Sequence, residues 1–198
     1  MLTYGRTLSG VKILDMETLK EAITKLHEQY RIPHIMITSI SLPSPGAEPF
    51  LSVVGSTMTS TATPRIFGVK VPAIDCFFSG TGDMFAALML VRLREAVFET
   101  EGLANKDAWV SEDDVDATDL PLARATEKVL ASMHDVLTKT KEKRDEEIEK
   151  YNTRVQGRGE DDDKKRFRLV QSKAAEVRLI RNLDALKTPM VKFRAEGV

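Results

Sequence analysis

The chain is poor in the residues that make chemistry easy to recognise. Its single cysteine, Cys76, excludes an internal disulfide and a CxxC metal site. Its three histidines, His27, His34 and His134, stand apart, with neither HExxH nor any other ligand spacing. Packing or surface roles are expected for each, and no metal-binding residue is assigned. A surplus of either charge is lacking too: 29 Lys plus Arg face 30 Asp plus Glu, for a net charge of -1. Such a balance leaves no electrostatic footprint for nucleic acid, and no basic stripe interleaved with aromatics compensates. No apolar run approaches the roughly 20 residues that span a bilayer, and residues 1–6 lack the apolar core of a signal peptide. The expectation is a cytoplasmic protein with neither nucleic acid nor membrane as partner.

What is present suits a globular domain: 198 residues, 42% hydrophobic and 30% charged. Over residues 17–30, Leu19, Ala22, Ile23, Leu26 and Tyr30 recur at three- and four-residue steps, one face of an amphipathic helix. Pro33 ends it, and residues 34–38 read as a short buried strand. Residues 41–46 carry turn chemistry, with two prolines and a glycine. Two further strands, over 50–58 and 65–71, form a hairpin-like pair. Residues 84–91 are apolar on every side, which predicts a helix buried in the centre of the protein. An acidic surface excursion follows over 99–119. The next helix shows Leu122, Ala125, Thr126, Val129, Leu130, Met133, Val136 and Leu137 on one face. Residues 141–166 are dominated by charge and are expected as a mobile surface segment. A strand over 167–172 and a helix over 173–186 complete the reading. Mixed strands and helices argue for a layered α/β fold, yet few strands precede the central helix, so the sheet looks incomplete.

One short stretch carries chemistry: Phe78-Ser79-Gly80-Thr81-Gly82-Asp83-Met84-Phe85-Ala86-Ala87-Leu88. Gly80 and Gly82 let the backbone approach a ligand closely at the mouth of a helix. The first N–H groups of a helix are unpaired and its dipole end is positive, so phosphate binds there readily. An acid in that turn, Asp83, would repel a phosphate. It makes sense as the base that takes a proton from an attacking hydroxyl while the N–H groups hold the transferred phosphoryl. The bland alternative stays open at this point: Asp is a common helix cap, and Gly-Thr-Gly-Asp could be a loop feeding a capped helix. The run is neither a P-loop nor a dinucleotide fingerprint.

These residues resemble the signature of the pyridoxal kinases, members of the ribokinase-like superfamily. Three more segments match in order: Leu8-Ser9-Gly10-Val11-Lys12-Ile13, Ile37-Thr38-Ser39-Ile40-Ser41-Leu42-Pro43 and Leu169-Val170-Gln171-Ser172-Lys173. The resemblance implies a three-layer α/β/α ribokinase-like fold, with residues 1–198 forming a single partial domain that lacks the N-terminal strands. It implies phosphorylation of the 5′-hydroxymethyl group of pyridoxal, pyridoxine or pyridoxamine by MgATP, with a monovalent cation as a further requirement. Asp83 would be the catalytic base, and Gly80, Thr81 and Gly82 the anion hole. Gly80 and Asp83 would also touch the substrate. Thr38, Ser39, Val71 and Phe78 would contact ATP, although Thr38 and Ser39 read alone could equally satisfy strand-end backbone groups. The family's Asn-x-x-Glu motif has no counterpart in residues 1–7, and the half that supplies the vitamer pocket and the homodimer surface is expected to be absent. The alternatives are a catalytically incompetent fragment or another ribokinase-like small-molecule kinase.

Overall fold

The computed structural model describes residues 7–40, 50–155, 167, 169–171, 173–174 and 176–198. It falls into two compact units, one built from Met1–Ala73, Leu88–Leu130 and Val191–Val198, the other from Ile74–Ala87 and Ala131–Met190.

In the first unit, helix α1 (Met16–Tyr30) begins where Asp15 caps it. The Asp15 carboxylate accepts the Thr18 N–H at 2.9 Å, and the Thr18 hydroxyl oxygen accepts the Asp15 N–H at 3.1 Å. This reciprocal box satisfies two N–H groups that a helix start leaves unpaired, and the Thr18 bonds hold the Asp15 carboxyl below its ordinary range. Of the stripe expected from periodicity, Leu19, Ala22, Ile23 and Leu26 are buried, while Tyr30 in the last turn is exposed. Arg31 ends the helix in the left-handed conformation at φ 52°, and Pro33 forbids its continuation.

Strands β1 (His34–Ile40), β2 (Phe50–Met58), β3 (Pro64–Pro72) and β4 (Ala195–Gly197) form one sheet in the order β1-β2-β3-β4. Every pairing is antiparallel, and β1 is an edge strand among the described residues. Alternation then divides the side chains between two faces. Ile35, Ile37, Val54, Ser56 and Ile66 share the face on which α1 lies, and Val54 and Ile66 join Leu19, Ala22 and Ile23 in its core. Met36, Val53, Thr57, Phe67 and Val69 share the opposite face. There the start of helix α3 (Pro121–Val155) covers them, the Thr126 hydroxyl lying 3.8 Å from the Met36 sulfur. The unit is therefore helix on sheet on helix, the three-layer arrangement expected of the α/β class.

Packing at the centre of the sheet leaves no slack. Phe67 is fully buried, and a Cβ added to Gly55 would sit 2.2 Å from its ring and 2.8 Å from the Met36 sulfur. Only hydrogen fits at that position. His27 bolts α1 to the sheet. Its Nδ1–H donates to the Ile32 carbonyl at 2.7 Å, which leaves Nε2 to accept the Ser56 hydroxyl at 2.8 Å. Glu127 of α3 sews down β4, accepting the Ala195 N–H and the Arg194 guanidinium, each at 2.8 Å.

Helix α2 runs over Thr81–Glu99 and corrects the expectation of all-round burial. Met84, Met89, Arg92, Ala96 and Val97 are buried, but Leu90, Val91 and Phe98 are 71%, 53% and 62% exposed. Apolar composition fixes what a helix tends to bury; whether a covering layer exists depends on the rest of the fold, and among the described residues only one side has one. The 99–119 excursion is a run of three short 3₁₀ turns.

In the second unit, α3 continues through residues 141–155, which were expected as mobile. Exposed i,i+3 and i,i+4 pairs such as Lys141–Asp145 at 2.6 Å and Lys143–Glu146 at 2.8 Å let a charged sequence remain helical. The expected mobility of 157–165 and the turn over 41–46 lie outside the described residues. Phe167, Leu169, Val170 and Gln171 are helical where a strand was expected. Short apolar runs carry no period that separates the two states. The final helix is shorter than expected, a 3₁₀ turn at Ile180–Asn182 leading into α4 (Leu183–Lys187).

Candidate functional site

The expected site residues are divided between the units. In the second, the chain leaves β3 and reaches Phe78, half-buried, after the exposed Phe77. Ser79 then makes an isolated parallel bridge with Glu176. Gly80 takes φ +82°, a left-handed conformation that suits glycine. The first bond closing α2 runs from the Met84 N–H to the Gly80 carbonyl at 3.1 Å. The N–H groups of Thr81, Gly82 and Asp83 therefore precede any intrahelical acceptor. Gly82 and Asp83 are exposed, and nothing lies within 4 Å of a Cβ built on Gly80 or Gly82.

That geometry bears on the alternative reading of Asp83. A capping carboxylate sits before the helix and accepts an N–H of its first turn, as Asp15 does in α1. Asp83 lies inside the first turn of α2, and among the described residues no hydrogen bond or ion pair engages its side chain. The residue before the helix is Gly80, which has no side chain to cap with. The Asp83 carboxylate and the three N–H groups ahead of the first helical bond thus lie within one turn, with no capping bond between them among the described residues.

In the first unit, Thr38 and Ser39 fall on a bulge. The β1–β2 register shifts between Ile37 and Ile40, and Ser39 takes φ +58°. Bulges with a left-handed residue re-aim side chains at the ends of strands and are found near active sites. Thr38 is half-buried and Ser39 exposed. Val71 lies near the end of β3, half-buried. A Thr-Ser dipeptide gives no sign of a bulge, so sequence reading named the residues and missed the strain.

Two further features went unread in the sequence. An open cleft of ≈ 740 Å³ in the second unit is lined by Lys173, Glu176, Val177, Arg178, Ile180 and Arg181 among others, and by none of the expected site residues. In the first unit, His34 and Arg65 hold the 99–119 excursion against the strand ends. Among the described residues no three His, Cys, Asp or Glu side chains gather to hold a metal, and no helix is long and apolar enough to cross a membrane.

No family model matches the chain. Its fold, however, superposes on a solved structure: pyridoxal kinase from Leishmania donovani in complex with ADP and pyridoxine, with a TM-score of 0.61 at 19% identity, covering 98% of this chain and 48% of that one. The architecture is thus the ribokinase-like α/β fold. Two sequence relatives narrow it. A protein of Schizosaccharomyces pombe provisionally named a pyridoxal kinase is 33% identical over 133 residues, 67% of this chain and 38% of its own length. Pyridoxal kinase of Ovis aries is 31% identical over 138 residues, 67% of this chain and 36% of its own length. The chain is a partial-length relative of the pyridoxal kinases, spanning half or less of those proteins.

Proposed function

We propose that this chain carries the phosphoryl-transfer side of an ATP-dependent kinase acting on the 5′-hydroxymethyl group of a vitamin B6 vitamer. The observation that supports it is the start of α2, where an unengaged carboxylate and three unpaired N–H groups coincide. Asp83 removes the proton from the acceptor hydroxyl. The freed oxygen attacks the γ-phosphorus, the bond from that phosphorus to the β–γ bridging oxygen breaks, and ADP leaves. The N–H groups around Gly80, Thr81 and Gly82 receive the charge on the γ-phosphoryl oxygens, which is where this reaction needs stabilisation. Thr38 and Ser39 contact the nucleotide phosphates; Val71 and Phe78 line its site. Magnesium arrives as MgATP, held chiefly by the phosphates, and no resident metal or monovalent-cation site is assigned.

A second reading, a chain that holds nucleotide without turning over, is favoured by its span of 48% of the Leishmania enzyme. Positioning of both substrates is most of phosphoryl-transfer catalysis. One experiment separates the readings. ADP binding by the 198-residue chain is measured by calorimetry, and pyridoxal 5′-phosphate formation from pyridoxal and MgATP is followed by absorbance. Binding weakened by Gly82→Ala supports the nucleotide assignment; no ADP binding by the parent overturns it. Turnover that falls about 10²–10⁴-fold in Asp83→Asn assigns the general base. Turnover unchanged in that variant removes Asp83 from the chemistry, and binding without turnover selects the second reading.

A further inference from the structure

The 99–119 excursion takes no part in the proposed reaction, yet it contains two consecutive non-glycine residues at positive φ, the one such pair among the described residues. Asp107, Ala108, Trp109 and Val110 close a tight turn, with the Val110 N–H reaching the Asp107 carbonyl at 3.4 Å. Both central residues have positive φ, 51° at Ala108 and 55° at Trp109. Turns of that form favour Asn-Gly, because a Cβ at positive φ crowds the backbone. Alanine and a bulky indole are poor occupants, so something must hold them there.

The supports are unequal. Before the turn, Leu103 is buried. After it, the Arg65 guanidinium donates to the carbonyls of Ser111, Glu112 and Val115 at 3.2, 2.6 and 3.0 Å, and to Met58 at 3.3 Å. Asp113 accepts the Ser60 N–H and hydroxyl at 2.8 and 2.5 Å. The flanks are thus clamped. Among the described residues, one hydrogen bond reaches the strained pair from outside the excursion: His34 Nε2 to the Ala108 carbonyl at 2.7 Å. A carbonyl only accepts, so Nε2 carries the proton and Nδ1 accepts the Thr57 hydroxyl at 2.9 Å.

We propose that the 106–110 turn is a sprung latch, held in its strained form by His34 and released about the Arg65–Asp113 clamp when that bond is lost. Thr57 of β2 and the Ala108 carbonyl face the imidazole, with positive charge from Arg65 on β3 and, once protonated, His27 on α1; Asp113 and Asp114 act on Arg65.

The chain supplies its own reporter, because Trp109 is its one tryptophan. In the 198-residue protein, His34→Ala should shift Trp109 emission to the red and raise tryptic cleavage at Lys106 about tenfold, roughly the population change expected from freeing one strained residue. His34→Gln, whose amide can still donate to Ala108, should restore both. Ala108→Gly relieves the strain without touching the latch and should lower cleavage in the parent background. Emission and cleavage unchanged in His34→Ala would overturn the proposal. Should that variant fail to fold, Ala108→Gly decides: cleavage unchanged or raised overturns it, and cleavage lowered supports it.

Discussion

In the β2–β3 hairpin, pairing runs unbroken from Phe50 opposite Pro72 to Met58 opposite Pro64, Phe67 is fully buried, and a methyl group at Gly55 has nowhere to go. At the start of α2 the terms are reversed. Gly80 and Gly82 could each gain a Cβ without meeting an atom within 4 Å, and Asp83 stands in solvent with no partner among the described residues. In the first region neighbours dictate the residue. In the second, the left-handed backbone accounts for Gly80, and nothing in the described chain explains why Gly82 and Asp83 should be there. Residues under no internal constraint are where an external ligand is the natural explanation, and the contrast is what supports the functional reading.

Substitutions can sharpen or break that contrast. The largest loss should come from Phe67→Ala, about 3–5 kcal/mol for truncating a buried aromatic ring, read by urea denaturation. Gly55→Ala should follow at about 1–3 kcal/mol, the usual penalty for overpacking; a neutral result would mean that the sheet centre is looser than its geometry indicates. Acid should act next. Burial, the largest cause for both, holds His27 and His34 below the ordinary histidine value of 6.5. The unfolded chain therefore binds these protons first, so their contribution is complete above about pH 6.5 and fades as pH falls below it. Urea midpoints at pH 7.5 and 5.5 should differ in that direction, and a flat profile would count against the two buried imidazoles. Smallest of all is Gly82→Ala, which should leave stability within about 1 kcal/mol of the parent, on the stabilising side, since alanine suits a helix better than glycine. A large loss there would erase the contrast and return α2 to an ordinary loop and helix start.

How much of this could be read beforehand depended on the range of the interaction involved. Helix α1 and strands β2 and β3 write their periods into a few neighbouring residues, and their bounds emerged within two residues of expectation. The face of α2 that lies exposed did not, because burial is a property of what surrounds a helix. Phe167 to Gln171 carried too short an apolar run to separate helix from strand. The His34–Ala108 bond spans 74 residues of sequence, beyond any local pattern. At the candidate site, Gly80 to Asp83 were legible as a motif, and Thr38 and Ser39 through resemblance alone. The left-handed backbone at Ser39 was hidden, since serine advertises no such preference.

The exposed side of α2 has a practical consequence for whoever handles the protein. Leu90, Val91 and Phe98 present an oily stripe whose aromatic end is partly screened by Arg94, its guanidinium 5.3 Å from the ring centre of Phe98. Sulfate and phosphate strengthen apolar association by their exclusion from protein surfaces, so the chain should salt out early and bind phenyl resin tightly. Free arginine in the buffer offers the ring more of the cation it already favours, and should keep concentrated samples clear.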